Sequence, residues 1–113
     1  MNILFVCSAN VDRSPTAEHI YANHPGLKVK SAGVGRDARQ PVNAALLQWA
    51  DVVLCMEKHH KQYIVEDFER FIAGKVIDYL DVQDIYPRMH PKLIEIITEK
   101  VDAWLRKYYA NMQ

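Results

Sequence analysis

Two uninterrupted apolar runs, residues 3–7 and 52–56, stand out from a chain whose other hydrophobic positions are mostly separated by polar ones. Continuous rather than alternating runs of this length are the pattern of strands buried on both faces of a parallel sheet. Residues 2–7 are therefore predicted to be a central strand. After a polar loop, Ser14-Pro15 opens a helical stretch to about residue 23, with Ser14 placed to cap and Pro15 at the first helical position, where a missing N–H costs little. Pro25-Gly26 ends it. A second strand is expected over residues 27–30, followed by Ser31-Ala32-Gly33 and a polar loop over 35–40. A helix over 42–50, the buried strand 51–56 and a helix with one polar face over 57–72 come next. Gly74 precedes a fourth strand at 75–80. From Pro91 onward, Leu93, Ile94, Ile97, Val101, Trp104 and Leu105 recur every three or four residues, the signature of a long amphipathic helix. Such alternation predicts an α/β fold: one three-layer domain over residues 1–113, a four-stranded parallel sheet flanked by helices on both faces, with right-handed crossovers. In such sheets ligands bind beyond the carboxyl ends of the strands, which directs attention to the loop after the first one.

Composition narrows the classes of partner. The 113 residues carry 14 Lys+Arg against 14 Asp+Glu and are 50% hydrophobic and 25% charged, which suits one small globular domain and excludes wholesale disorder. Zero net charge supplies no overall field for nucleic acid or an anionic membrane, so a charged ligand must be handled by a local site. The two cysteines, Cys7 and Cys55, form neither a disulfide framework nor a zinc-type spacing, and point to a reducing, cytoplasmic setting. No run reaches membrane-spanning length, and the N-terminus lacks secretory-signal features, so the chain is expected to start where the fold starts.

The loop after the first strand reads Cys7-Ser8-Ala9-Asn10-Val11-Asp12-Arg13-Ser14. Successive backbone N–H groups in a short loop can form an anion-binding nest, and the following helix N-terminus adds partial positive charge. Arg13 can bond two phosphate oxygens at once with its planar fork, and the same fields favour Cys7 as a thiolate. A nucleophile and a cradle for a tetrahedral oxyanion, built from Ser8, Ala9, Asn10, Val11, Asp12 and Ser14, thus share one loop.

The loop and its flanks, Ile3-Leu4-Phe5-Val6-Cys7, Asn10 and Arg13-Ser14-Pro15-Thr16-Ala17-Glu18, resemble the signature of the low-molecular-weight protein tyrosine phosphatases. Ser31-Ala32-Gly33 and Asp51-Val52-Val53-Leu54-Cys55-Met56-Glu57 resemble later segments of that family in the expected order. The resemblance implies a phosphomonoesterase that forms a phosphocysteine on Cys7, with Arg13 binding the equatorial oxygens, Ser14 bonding the thiolate and Asn10 holding a left-handed turn. It implies a phosphorylated protein or small aryl phosphate as substrate, and no metal or cofactor. The family's general acid, an aspartate usually followed by proline, lies after the fourth strand. There this chain reads Asp81-Val82-Gln83-Asp84-Ile85-Tyr86-Pro87-Arg88-Met89-His90-Pro91, without an Asp-Pro pair. Asp84 is the first choice, Asp81 the fallback and His90 a third candidate, with Tyr86 placed to stack on an aryl group.

Two departures from the family pattern carry consequences. The chain is shorter than typical members between Gly33 and Val42, which predicts a more open entrance. Asp12 stands where many members have a second, protective cysteine. A carboxylate about 6 Å from a phosphate charge would repel it by roughly 3 kcal/mol at an effective dielectric near 20 unless it turns away or finds a partner. Elsewhere, Cys55, Trp49 and Trp104 read as core. His59-His60 are expected to diverge on a helix without a nearby carboxylate, giving no metal site. Other readings of the loop are a phosphocysteine carrier, which has no need of Arg13; a thiol-coupled arsenate reductase, which needs more cysteines; and a non-catalytic oxyanion-binding module.

Overall fold

In the computed structural model, which describes residues 1–112, four strands form one parallel sheet in the order β2-β1-β3-β4: β1 (Asn2–Cys7), β2 (Lys28–Gly33), β3 (Val52–Cys55) and β4 (Val76–Tyr79). The helices are α1 (Arg13–Tyr21), α2 (Ala44–Trp49), α3 (Lys58–Asp67) and α4 (Pro91–Asn111), with one 3-10 turn at Glu69–Phe71. The apolar runs occupy the two interior strands because only there are both sheet faces covered. Along β1, Ile3, Phe5 and Cys7 face a core shared with α1 and α4, while Leu4 and Val6 face one shared with α2 and α3. Along β3, Val52 and Leu54 join the first core, and Val53 and Cys55 the second. Strand β4, at the sheet edge, is partly exposed along its whole length. No helix among the described residues is long and apolar enough to cross a membrane.

Three boundaries differ from expectation. Asp12, not Ser14, is the N-cap of α1, so Pro15 is the third helical residue rather than the first. Its missing N–H still falls within the first turn, where no intrahelical partner exists. Strand β2 extends through Ser31-Ala32-Gly33, which pair with Phe5, Val6 and Cys7, because β1 offers them a ladder that local propensity could not reveal. The helix expected over 57–72 ends at Asp67, and Phe68, Phe71 and Ile72 instead fold back onto the second core.

Candidate active site

Strand β1 delivers Cys7 to the carboxyl edge of the sheet, and the next residues are shaped by where their carbonyls go. Those of Cys7, Ser8 and Ala9 accept from the N–H groups of Val34, Gly35 and Arg39 at 2.9, 2.9 and 3.0 Å. That of Asn10 accepts from Arg39 Nε at 3.1 Å. The short segment between Gly33 and Val42 therefore runs alongside the loop as a splint. With the carbonyls drawn off, the N–H groups of Ser8, Ala9, Val11, Asp12, Arg13 and Ser14 have no acceptor among the described residues. Free amides in sequence, beside a helix N-terminus, make an anion receptor. The close approach depends on Gly33, where a Cβ would lie 2.5 Å from the Ser8 carbonyl oxygen and 2.9 Å from Asn10 N.

Polar groups converge on the buried Cys7 thiol. Ser14 Oγ lies 2.9 Å from Sγ, and Asn10 N–H donates to Sγ at 3.3 Å. Asn10 Nδ2 donates to both Ser14 Oγ and Ser31 Oγ at 2.9 Å, and Ser31 donates in turn to Glu18. Because Ser14 accepts from Asn10, its own proton is available to the sulfur or to the Ala32 carbonyl at 3.3 Å. Asn10 has φ 57°, and its buried Oδ1 has no hydrogen-bond partner among the described residues. Two local costs thus fall on the residue that turns the loop, as is common at functional sites.

Arg13 is 2% exposed, and its Nη1 donates to Glu57 and to the Val82 carbonyl at 2.7 Å. Its Nε lies 3.8 Å from Asp84 Oδ1. The hydrogen bond from Arg13 holds the Glu57 carboxyl below the usual carboxylate range. Glu57 N–H donates to His60 Nδ1 at 3.0 Å, which leaves the proton of the neutral ring on Nε2 to be donated to Ser8 Oγ at 2.8 Å. Burial, reinforced by His59 and Arg13, pulls His60 down to about 4. The expectation for His59-His60 is corrected here: the ring centroids are 4.1 Å apart, and Glu57 joins them with ligand atoms all within 4.8 Å. His59 and His60 are the second and third residues of α3, and the His60 ring reaches back to the Glu57 N–H in a capping box, which keeps it beside His59 and Glu57. Both nitrogens of His60 and the Glu57 carboxylate are already engaged in bracing the loop, so a metal would have to displace those bonds.

Asp84 is exposed and lines a small hollow with Cys7, Ala9, Val11, Asp12 and Arg13. The other acid candidates lie elsewhere. Asp81 has φ 61°, its carbonyl accepts from Lys100 Nζ, and it borders a different hollow, together with Tyr86. His90 caps α4 by accepting from Lys92 N–H at 3.0 Å, and its ring packs on Tyr86. Tyr86 is thus held by packing, and the exposed apolar side chains lining the hollow are those of Ala9 and Val11, the latter 50% exposed. The Asp12 carboxylate has found a partner, the Arg88 N–H, at 2.8 Å. Sequence reasoning missed Glu57, His60, Arg39 and Gly33. Of these, Glu57 carried a signal, because it directly follows the second buried run and so sits at the carboxyl end of the strand beside β1.

Comparison with known proteins is consistent with this geometry. Residues 2–44 match the family model described as low molecular weight phosphotyrosine protein phosphatase. A protein-arginine-phosphatase of Geobacillus stearothermophilus is 37% identical, over 70% of this chain and 76% of that protein. The low molecular weight protein-tyrosine-phosphatase Ptp of Acinetobacter johnsonii is 32% identical, over 66% and 68%. Among solved structures, the YwlE arginine phosphatase, in a cysteine-to-serine mutant with a phosphorylated active-site serine, superposes with a TM-score of 0.66 at 25% identity, covering 95% of this chain and 97% of that one.

Proposed function

The chain belongs to the low molecular weight phosphotyrosine protein phosphatase family, and from that membership we propose that it hydrolyses phosphate monoesters on protein side chains through a phosphocysteine at Cys7. The observation that carries the reading is that Cys7, with Ser14 Oγ 2.9 Å from its Sγ, lines one hollow together with the buried Arg13, residues of the free-amide run and Asp84. In the first step the Cys7 thiolate attacks phosphorus, forming S–P as the ester P–O bond breaks, and Asp84 as carboxylic acid gives its proton to the leaving oxygen. In the second step the Asp84 carboxylate takes a proton from water, whose oxygen forms a bond to phosphorus while S–P breaks. Inorganic phosphate leaves, and Cys7 and Asp84 are restored. Throughout, Arg13 and the loop amides hold the three non-bridging oxygens, where charge accumulates. A phosphocysteine carrier has no need of the buried arginine that lines the same hollow. Two free thiols, one of them the nucleophile, suit a reducing compartment such as the cytoplasm.

The test is nitrophenol release from nitrophenyl phosphate by the unaltered protein, Cys7→Ser and Asp84→Asn. Turnover by the unaltered protein, none by Cys7→Ser and a loss of about 100-fold in Asp84→Asn are expected. Lack of turnover by the unaltered protein overturns the reading in favour of an oxyanion-binding module. Full activity in Asp84→Asn reassigns the acid. A second reading rests on the name of the Geobacillus relative: the scissile bond is then P–N of phosphoarginine, and Asp84 protonates the departing guanidine nitrogen. Parallel assays on phosphotyrosine and phosphoarginine peptides separate the two.

A further inference from the structure

Asp12 occupies the N-cap of α1, yet its side chain makes no hydrogen bond to that helix. An aspartate there ordinarily accepts from the second or third helical N–H. In this chain the third helical residue is Pro15, which has none, and the Ser14 N–H belongs to the open amides of the loop. The carboxylate is released for another use, and Oδ1 accepts from the N–H of Arg88, 76 residues away, at 2.8 Å. The neighbouring amide is fixed to the same corner: Met89 N–H donates to Thr16 Oγ1 at 3.0 Å, and Thr16 Oγ1 donates to the Asp12 carbonyl at 2.6 Å. Met89 is held at φ 61°, a conformation that a side-chain-bearing residue adopts only when its surroundings fix it. At the other end of the same connection, the Val82 carbonyl is held by Arg13. The stretch that carries Asp84 is thus pinned at both ends to residues 12–16.

Asp84 itself has little to fix it. It is exposed, and its charged partner is Arg13 Nε at 3.8 Å, too far for a hydrogen bond. Where its carboxyl stands over the hollow is set by the backbone on either side. We propose that Asp12 is a positioning residue for the acid step: by clamping the Arg88 amide it holds the connection that places Asp84 over the leaving oxygen. The same bond directs the Asp12 negative charge toward an N–H donor, which moderates its repulsion of the phosphate. This inference rests on the hydrolase reading and adds to it a side chain that touches neither substrate nor reacting atoms.

A leaving-group series tests it. Acid assistance matters most when the departing oxyanion is basic, so kcat/KM is compared for nitrophenyl phosphate and phenyl phosphate in the unaltered protein, Asp12→Ala, Asp12→Asn, Asp84→Asn and the double variant Asp12→Ala/Asp84→Asn. Asp12→Ala is expected to lose about 30-fold or more on the phenyl ester and only a few-fold on the nitrophenyl ester, a weaker form of the Asp84→Asn defect, which should likewise be larger on the phenyl ester. Asp12→Asn, whose Oδ1 still accepts from Arg88 N–H, should stay within about threefold on both, and it guards against a folding defect in the alanine variant. In the double variant, the Asp12 change should cost no more than a few-fold beyond Asp84→Asn, because both act on one step. Equal losses on the two esters, or full additivity, overturn this inference while leaving the hydrolase reading intact. Absence of turnover by the unaltered protein on every ester overturns both.

Discussion

Gly33→Ala tests whether the splint against the phosphate loop sets its shape. Gly33 does not need a positive φ, so alanine brings no backbone strain of its own, and the effect is purely steric. The new methyl group would lie 2.5 Å from the Ser8 carbonyl oxygen, 2.8 Å from Ala38 Cβ and 2.9 Å from Asn10 N. Ordinary contact begins near 3.4 Å, so the Ser8 carbonyl must retreat by about 0.9 Å. None of the three obstacles is the end of a flexible side chain that could swing aside. Overpacking of this kind costs about 1–3 kcal/mol. A shift approaching 1 Å in a cradle that must match a phosphate lowers the rate by about 100-fold. Gly35→Ala is the internal control, since its Cβ would meet the same oxygen at 3.1 Å and needs only a few tenths of an ångström. Its loss should be several-fold at most. The assay is kcat/KM on nitrophenyl phosphate together with the urea midpoint of each variant. Gly33→Ala with activity within threefold of the unaltered protein would refute the claim that this contact shapes the loop.

The other predictions concern the braces around the loop. His60 is neutral when folded and takes up a second ring proton only below about 4, against 6.5 in the unfolded chain. Stability is therefore level above pH 6.5 and falls as pH drops from 6.5 to 4, by up to about 3 kcal/mol, because only the unfolded chain takes up the proton there. Urea midpoints across that range should fall less steeply in His60→Gln, and equal slopes would remove His60 from the account. Glu57→Ala leaves the buried Arg13 without its carboxylate, and with Glu57 30% exposed the loss should be about 1–2 kcal/mol, read from the same midpoints. Arg13→Lys keeps the charge but cannot hold Glu57, Val82 and a phosphate together, so kcat/KM should fall by about 100-fold or more; a loss below tenfold would make the fork dispensable.

The legible parts of the fold were those that local pattern controls. Runs 3–7 and 52–56 could only be interior strands, because no other position in a small domain covers both faces of so many apolar side chains. Their lengths, and the Pro-Gly and Gly breaks, set the order of elements. Residues 7–14 announced an anion-binding loop, because nucleophile, arginine and hydroxyl fall within one short connection. The ends of elements were less legible. Ser31-Ala32-Gly33 became strand only because β1 lay alongside, and the cap of α1 moved to Asp12 because the loop's geometry, not the identity of Ser14, decides where helical dihedrals begin.

What sequence alone determined, then, was a four-stranded parallel sheet, the order of its elements and the loop that holds Cys7 and Arg13, all of which follow from contiguous residues. Tertiary structure decided what surrounds them. Glu57 and His60 reach the loop because β3 is paired with β1, Arg39 because a short segment is drawn along the loop's carbonyls, and Asp84 because the chain returns from β4 to the same edge. It also settled the direction of Asp12, whose carboxylate meets an amide 76 residues away. Partners at such separations leave no local periodicity to read, since their proximity is produced by burial of the whole core and not by the spacing of any one segment.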